Sequence, residues 1–227
     1  EHTLTLEAVR EPVAIAEIRL VPVTVKPTYE EYLAAHQSAG TPSIEPIKVQ
    51  AEIPSATSEQ TIYQLNDRSS AISEPQSPSL IRLNSIGSNK WQTCGQWIRY
   101  DVEVPQAGLY SIVPRFRQEL LTGMYTSRRV RINGEVPFQE ASYLQFNYNT
   151  AWQTKPLNDG EIEFLFYLEQ GKNTIEFEVV LGSIGTILTQ VSKALDELNA
   201  DYLQILMITG ASPDAYRDYN FGKLIPD

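Results

Sequence analysis

Aromatic rings interleaved with amides form the residue pattern with the clearest chemistry. Trp91 and Gln92 stand together ahead of a strand-like run, and Tyr143, Phe146, Tyr148 and Trp152 are interspersed with Gln145, Asn147, Asn149 and Gln153. Arg117 and Gln118 add a guanidinium and a further amide. A flat ring covers an apolar C–H face, while amides and guanidiniums exchange hydrogen bonds with hydroxyls. A sugar presents that combination of face and rim. Trp91, Trp152, Tyr148, Asn149, Arg117 and Gln118 are therefore the candidate ligand-binding residues. Covering about 100 Å² of apolar surface contributes roughly 2.5 kcal/mol. Millimolar binding needs about 4 kcal/mol, so one stacked ring plus a few hydrogen bonds reaches only weak affinity. The opposing reading makes Trp91 and Trp152 packing aromatics; Tyr63, Trp97 and Tyr100 read as core. Solvent exposure of Trp91 and Trp152 separates the two.

Catalytic chemistry finds less support. The two histidines, His2 and His36, both lie near the N-terminus, so a Ser–His or Cys–His pair would have to reach across a linker. No phosphate-cradling glycine loop and no metal-binding His pair is present. Acidic residues two apart occur at Asp101/Glu103, Glu161/Glu163 and Glu176/Glu178. On a strand that spacing puts both carboxylates on one face, which a glycosidase could use. It is equally the solvent face of a half-buried strand, and the chain is read as non-enzymatic.

Bulk properties narrow the partners. Eighteen basic against 28 acidic residues leave a formal net charge of −10, which disfavours nucleic acid and anionic membranes. Arg128, Arg129 and Arg131 are the one basic cluster, at the spacing of a strand. Cys94 is the single cysteine, so no intrachain disulfide and no zinc site built on cysteine pairs can form. No apolar run reaches the roughly 18 residues a membrane span needs. The sequence opens on a strand-like run without a start Met or a signal peptide, as expected of a piece of a larger or processed protein.

The elements that must position these residues are mostly strands. In the run from Trp97 to Val104, Ile98, Tyr100, Val102 and Val104 share one face, and Arg99, Asp101 and Glu103 the other. The same period of two turns Tyr110, Ile112 and Phe116 inward, then Val130 and Ile132, then Ile162, Phe164, Phe166 and Leu168, then Ile175, Phe177 and Val179. Asn133-Gly134 between two such runs predicts a two-residue hairpin, because both positions need positive φ. From Ile184 onward the period changes. Leu188, Val191, Leu195, Leu198, Tyr202 and Ile205 step by three and four, which predicts an amphipathic helix over about residues 185–199 that buries Leu188, Val191, Leu195 and Leu198. Ser183 or Thr186 is its expected cap.

The expected architecture is mainly β: an antiparallel β-sandwich with one C-terminal amphipathic helix and an N-terminal strand pair. Residues 1–25 hold the strand pair, the tail end of a preceding sandwich-like unit, since residues 1–9 echo residues 172–180. Residues 26–43, a short helical stretch from Tyr29 to His36 flanked by Pro22, Pro27, Gly40 and Pro42, read as a linker. Residues 44–209 form the sandwich and residues 210–227 a surface tail.

The stretch from Gly95 to Ile112, with its Gly95-Gln96-Trp97 opening, alternating strand, Pro105-Gln106-Ala107-Gly108 turn and Tyr110, resembles galactose-binding-like carbohydrate-binding modules of families six and thirty-five. Gln50-Ala51-Glu52 resembles their acidic start, and Ile132-Asn133-Gly134-Glu135 their next hairpin. The resemblance implies a jelly-roll sandwich and a structural calcium, with Glu52 and Asp201 as its candidate ligands; Gln50 stands where those modules carry an acid. A longer ordered set includes Asp67-Arg68-Ser69-Ser70, Arg82-Leu83-Asn84, Arg117-Gln118, Pro137-Phe138, Tyr148-Asn149-Thr150-Ala151-Trp152 and Met207-Ile208-Thr209-Gly210. It is similar to the sandwich regions of large extracellular solute-binding proteins of ABC sugar transporters in Gram-positive bacteria. That likeness implies an extracellular or cell-surface location, a longer parent chain, and oligo- or polysaccharide as partner, without membrane insertion. The rival expectation is a spacer whose aromatics and helical seam dock on neighbouring domains of that chain.

Overall fold

The computed structural model describes residues 25–221. The expected strands over residues 3–9 and 13–21, and with them the N-terminal strand pair, lie outside the described residues. The first described element is the helix α1 (Tyr29–Ala35). Thr28 caps it: its Oγ1 accepts from the Glu31 amide at 3.3 Å, and the Glu31 carboxylate accepts from the Thr28 amide at 2.9 Å. The stretch read as a linker is thereby tied into the fold. Tyr29 and Tyr32 are buried, with Tyr29 ring centroids 4.9 Å from Phe138 and 4.6 Å from Phe164. The Tyr29 hydroxyl accepts from the Leu165 amide at 2.8 Å, and the Tyr32 hydroxyl from the Tyr167 amide at 2.7 Å. A tyrosine suits this place because its ring fills the core while its hydroxyl satisfies a strand-edge donor.

Eleven strands follow among the described residues. β1 (Ala56–Thr57), β2 (Gln64–Leu65) and β3 (Ser85–Ile86) are short. β4 (Trp97–Val104), β5 (Gly108–Ser111), β6 (Arg115–Gln118) and β7 (Tyr125–Ile132) form the middle of the chain. β8 (Leu144–Asn147), β9 (Asn149–Thr154), β10 (Leu165–Leu168) and β11 (Gly171–Val180) complete the set. One antiparallel sheet runs β1-β4-β11-β7-β8; the pairs β5–β10, β2–β3 and β6–β9 stand in place of a single second sheet. The main core lies between the five-stranded sheet and the β5–β10 pair, where Val104, Val130, Phe138, Phe164 and Phe166 are almost wholly buried.

Period-two reading places most side chains correctly. Ile98, Val102, Val104, Val130, Ile132, Ile175 and Val179 are buried as expected. Ile162 is not: it is 52% exposed in a loop, where the Asp159 carboxylate accepts from the amides of Glu161 and Ile162 and folds an Asx turn. On β5 the buried side chain is that of Leu109, while Tyr110 is half-buried and donates its hydroxyl to the Gln106 carbonyl at 2.6 Å. The Asn133-Gly134 hairpin forms as predicted, with φ of 52° and 86° at its two turn residues.

The C-terminal helix α2 (Ser183–Thr209) is longer than the expected span and remains helical through its apolar end. Ser183 does not cap it. The N-cap is Gly182, and the Ser183 hydroxyl bonds the Tyr125 hydroxyl at 2.6 Å. Gly182 sits at φ 57°, and a Cβ there would meet Ser127 Oγ at 2.5 Å, so the junction of β11 and α2 requires glycine. The expected burial of the helical seam is overturned. Leu188, Val191, Leu195 and Leu198 are 50%, 50%, 53% and 63% exposed, because no described element of the chain lies against them.

Candidate binding site

The β6–β9 pair and the loop before residue 73 enclose an open cavity of about 370 Å³. Its walls include Ser69, Ser70, Ile72, Arg115, Thr150 and Trp152. Strand alternation accounts for Arg115, Thr150 and Trp152, and Ala151 joins the wall where the pairing is irregular between Phe116 and Gln118. The pairing of Arg115 with Thr154 and Phe116 with Gln153 puts Arg115, Arg117, Thr150, Trp152 and Thr154 on the outer face. Phe116, Gln118 and Gln153 take the inner one, where Gln118 and Gln153 are buried and Phe116 meets Phe146 edge-on at 4.8 Å.

Trp152 is half-buried, and its indole N–H points at Asp67 Oδ1 and Ser69 Oγ, both at 3.2 Å. Two guanidiniums flank the ring, Arg115 at 5.6 Å and Arg117 at 5.2 Å from its centroid. Arg117 donates to Asp67 Oδ2 at 2.8 Å and to Ser69 Oγ at 2.7 Å, and pairs with Glu119 at 3.0 Å. Arg115 bonds hydroxyls only, Ser70 Oγ at 2.7 Å and Thr154 Oγ1 at 3.4 Å, and its buried Nε has no partner among the described residues. Asn84 holds the loop by exchanging hydrogen bonds with the Asp67 backbone, both at 2.8 Å.

Burial pushes the Asp67 carboxyl up. The Ser69 hydroxyl and amide, the Trp152 indole and the Arg117 guanidinium together outweigh it and hold the carboxyl below its ordinary range. Asp67 is thus an ionised acceptor already occupied by its neighbours. A glycosidic general acid needs the opposite, a raised carboxyl with a free proton. The cavity can exchange hydrogen bonds and cover an apolar face, and Asp67 is not poised as a general acid.

Of the six residues expected to bind ligand, Trp152 lines the cavity and Arg117 stands behind it, holding the Asp67 loop to the strand pair. Gln118 points inward; its carboxamide bonds the Leu120 and Leu121 amides and the Leu121 and Met124 carbonyls, closing the β6–β7 loop. Asn149 is exposed and accepts from the Ala151 amide at 2.9 Å, and Tyr148 is half-buried where β8 passes to β9. Trp91 belongs to a separate cluster. Arg128 lies 4.1 Å over its ring and donates to its carbonyl at 3.0 Å, while its indole N–H donates to the Gln96 carbonyl at 3.3 Å. Burial depresses the Arg128 guanidinium to about 10.

Sequence reading did not assign Asp67, Ser69, Ser70 or Arg115 to a site. The Asp67-Arg68-Ser69-Ser70 string was legible only as part of a family likeness. Glu52 is buried near the Tyr100 phenol, which is raised by its own burial first and by the Glu52 charge second. Asp201 is exposed on α2, and among the described residues no three His, Cys, Asp or Glu side chains gather to hold a metal ion.

No family model and no curated protein matches the chain. Solved structures similar to it include a cycloisomaltooligosaccharide glucanotransferase from Paenibacillus sp., 20% identical over 59% of this chain and 16% of that one, with a TM-score of 0.43. A family 35 carbohydrate-binding module from Clostridium thermocellum is 19% identical over 52% of this chain and 85% of its own, with a TM-score of 0.37. A β-(1,4)-mannanase from Podospora anserina is 13% identical over 59% of this chain and 24% of that one, with a TM-score of 0.39.

Proposed function

We propose that this chain is a non-catalytic carbohydrate-binding module of the galactose-binding-like kind, binding glycan in the Trp152 cavity. The observation that carries it is the wall itself: a half-buried indole set among Arg115, Ser69, Ser70 and Thr150, with Arg117 and Asp67 fixing the frame. The cavity, about 370 Å³, falls at the small end of ligand sites, which suits a short stretch of glycan. An exterior location and a longer parent protein devoted to glycan capture or sugar uptake belong to the same proposal and rest on the ordered strings of the sequence. Among the described residues no helix is long and apolar enough to cross a membrane.

Calorimetry of the chain against plant and microbial glycans tests the reading. Single-site affinity is expected between micromolar and millimolar, and Trp152→Ala is expected to weaken it by about 1–3 kcal/mol. Absence of binding to every glycan, or a Trp152→Ala variant that binds as well as the parent, would refute it. The docking alternative draws on one observation, the uncovered seam of α2.

A further inference from the structure

The α2 seam repeats at a period of 3.5. Taking Leu188 as heptad position a, Leu195 and Tyr202 fall at a, and Val191, Leu198 and Ile205 at d. All six are between 42% and 63% exposed, so three heptads of a continuous apolar stripe lie open on a helix of 27 residues, about 40 Å long. A strict seven-residue repeat drifts by about 20° per heptad around a straight helix. Only a partner that winds with it keeps the whole stripe covered, and that partner is another helix rather than a flat sheet.

The polar residues agree. Lys193, Asp196 and Glu197 occupy positions f, b and c, away from the seam, and Lys193 pairs with Glu197 within the helix at 3.7 Å. The positions flanking the seam over its first two heptads are Ser192, Ala194, Asn199 and Asp201, of which Asp201 alone carries a charge. Charged flanks are what select a foreign helix or repel an identical one. At half exposure, each seam residue offers on the order of 100 Å², so a pair buries about 1,200 Å², the lower bound of a standard specific interface.

We propose that α2 pairs, parallel and in register, with α2 of a second copy of this chain, making the protein a self-associating module held by a short coiled coil. This does not depend on what the Trp152 cavity binds. Sedimentation of the whole chain from low to high micromolar concentration is expected to show at least twice the monomer mass. The double variant Leu195→Glu with Leu198→Glu is expected to sediment as a monomer, while Ala200→Glu on the outer face associates like the parent. Should the double variant fail to fold, disulfide formation decides. In a Cys94→Ser background, Leu188→Cys is expected to cross-link two copies on oxidation, and Glu197→Cys is not. A parent chain that stays monomeric at every concentration overturns the proposal, as does a seam variant that associates like the parent or a Leu188→Cys chain that gives no covalent dimer.

Discussion

At the scale of single residues, the site depends on a carboxylate kept ionised. Asp67 titrates below its ordinary value near 3.8 because its hydrogen-bond donors and Arg117 outweigh its burial. A depressed folded-state pKa contributes stability that is fully present above the unfolded value and disappears as pH falls through the folded one. Urea unfolding followed from neutral pH into the acid range is therefore expected to show a loss of stability that Asp67→Asn lacks; parallel curves for both proteins would refute it. Trp91 behaves differently. It shields Arg128, whose buried Nε has no partner among the described residues, so Trp91→Ala uncovers a desolvated cation. A loss of roughly 2–3 kcal/mol is expected in thermal or urea unfolding, from lost packing and lost cation–π contact. Glycan affinity measured under folding conditions should stay unchanged, since Trp91 is not part of the cavity wall. A variant of parental stability and reduced affinity would return Trp91 to the site.

At the scale of elements, α1 shows where hydrophobic pattern fails. Its helical stretch is legible but short and flanked by Pro27 and Gly40, and nothing local shows that Tyr29 and Tyr32 pack into the core. The one local signal was the Thr28–Glu31 capping box. Replacing Tyr29 by Phe keeps the ring against Phe138 and Phe164 and deletes only the hydroxyl, leaving the Leu165 amide and the Glu163 carbonyl without their partner. A cost of about 1–3 kcal/mol is expected from chemical denaturation; a neutral substitution would mean that water reaches this strand edge. Strands β4, β7 and β11 were legible because each has an apolar face and a charged one, on which Arg99, Arg129 and Arg131 pair with Glu176 and Glu178, and this makes period two visible. The cavity was not. Asp67 meets Trp152 across 85 residues of chain and Arg117 across 50, and no local spacing encodes such contacts. Gln118 turns inward for a related reason: strand alternation sends it and its neighbour Arg117 to opposite faces.

At the scale of the whole molecule, a weak site and an uncovered helical seam acquire a common sense. One indole edge and a few hydrogen bonds support an affinity between micromolar and millimolar, too low to hold a polymer for long. Two copies joined through α2 would bring two cavities to the same polysaccharide, and the second contact then forms at the effective concentration set by the joint rather than by the bulk. The gain requires no new contact with sugar. Retention on an immobilised polymeric glycan is accordingly expected to fall on the order of a hundredfold in the Leu195→Glu with Leu198→Glu variant. Its affinity for a short soluble oligosaccharide, measured by calorimetry, is expected to match the parent, because the seam and the β6–β9 cavity share no residue. Trp152→Ala should reverse the pattern, weakening both measurements and leaving the sedimenting mass unchanged. If the seam variant lost oligosaccharide affinity as well, α2 would be supporting the cavity itself and the two features would not be separable.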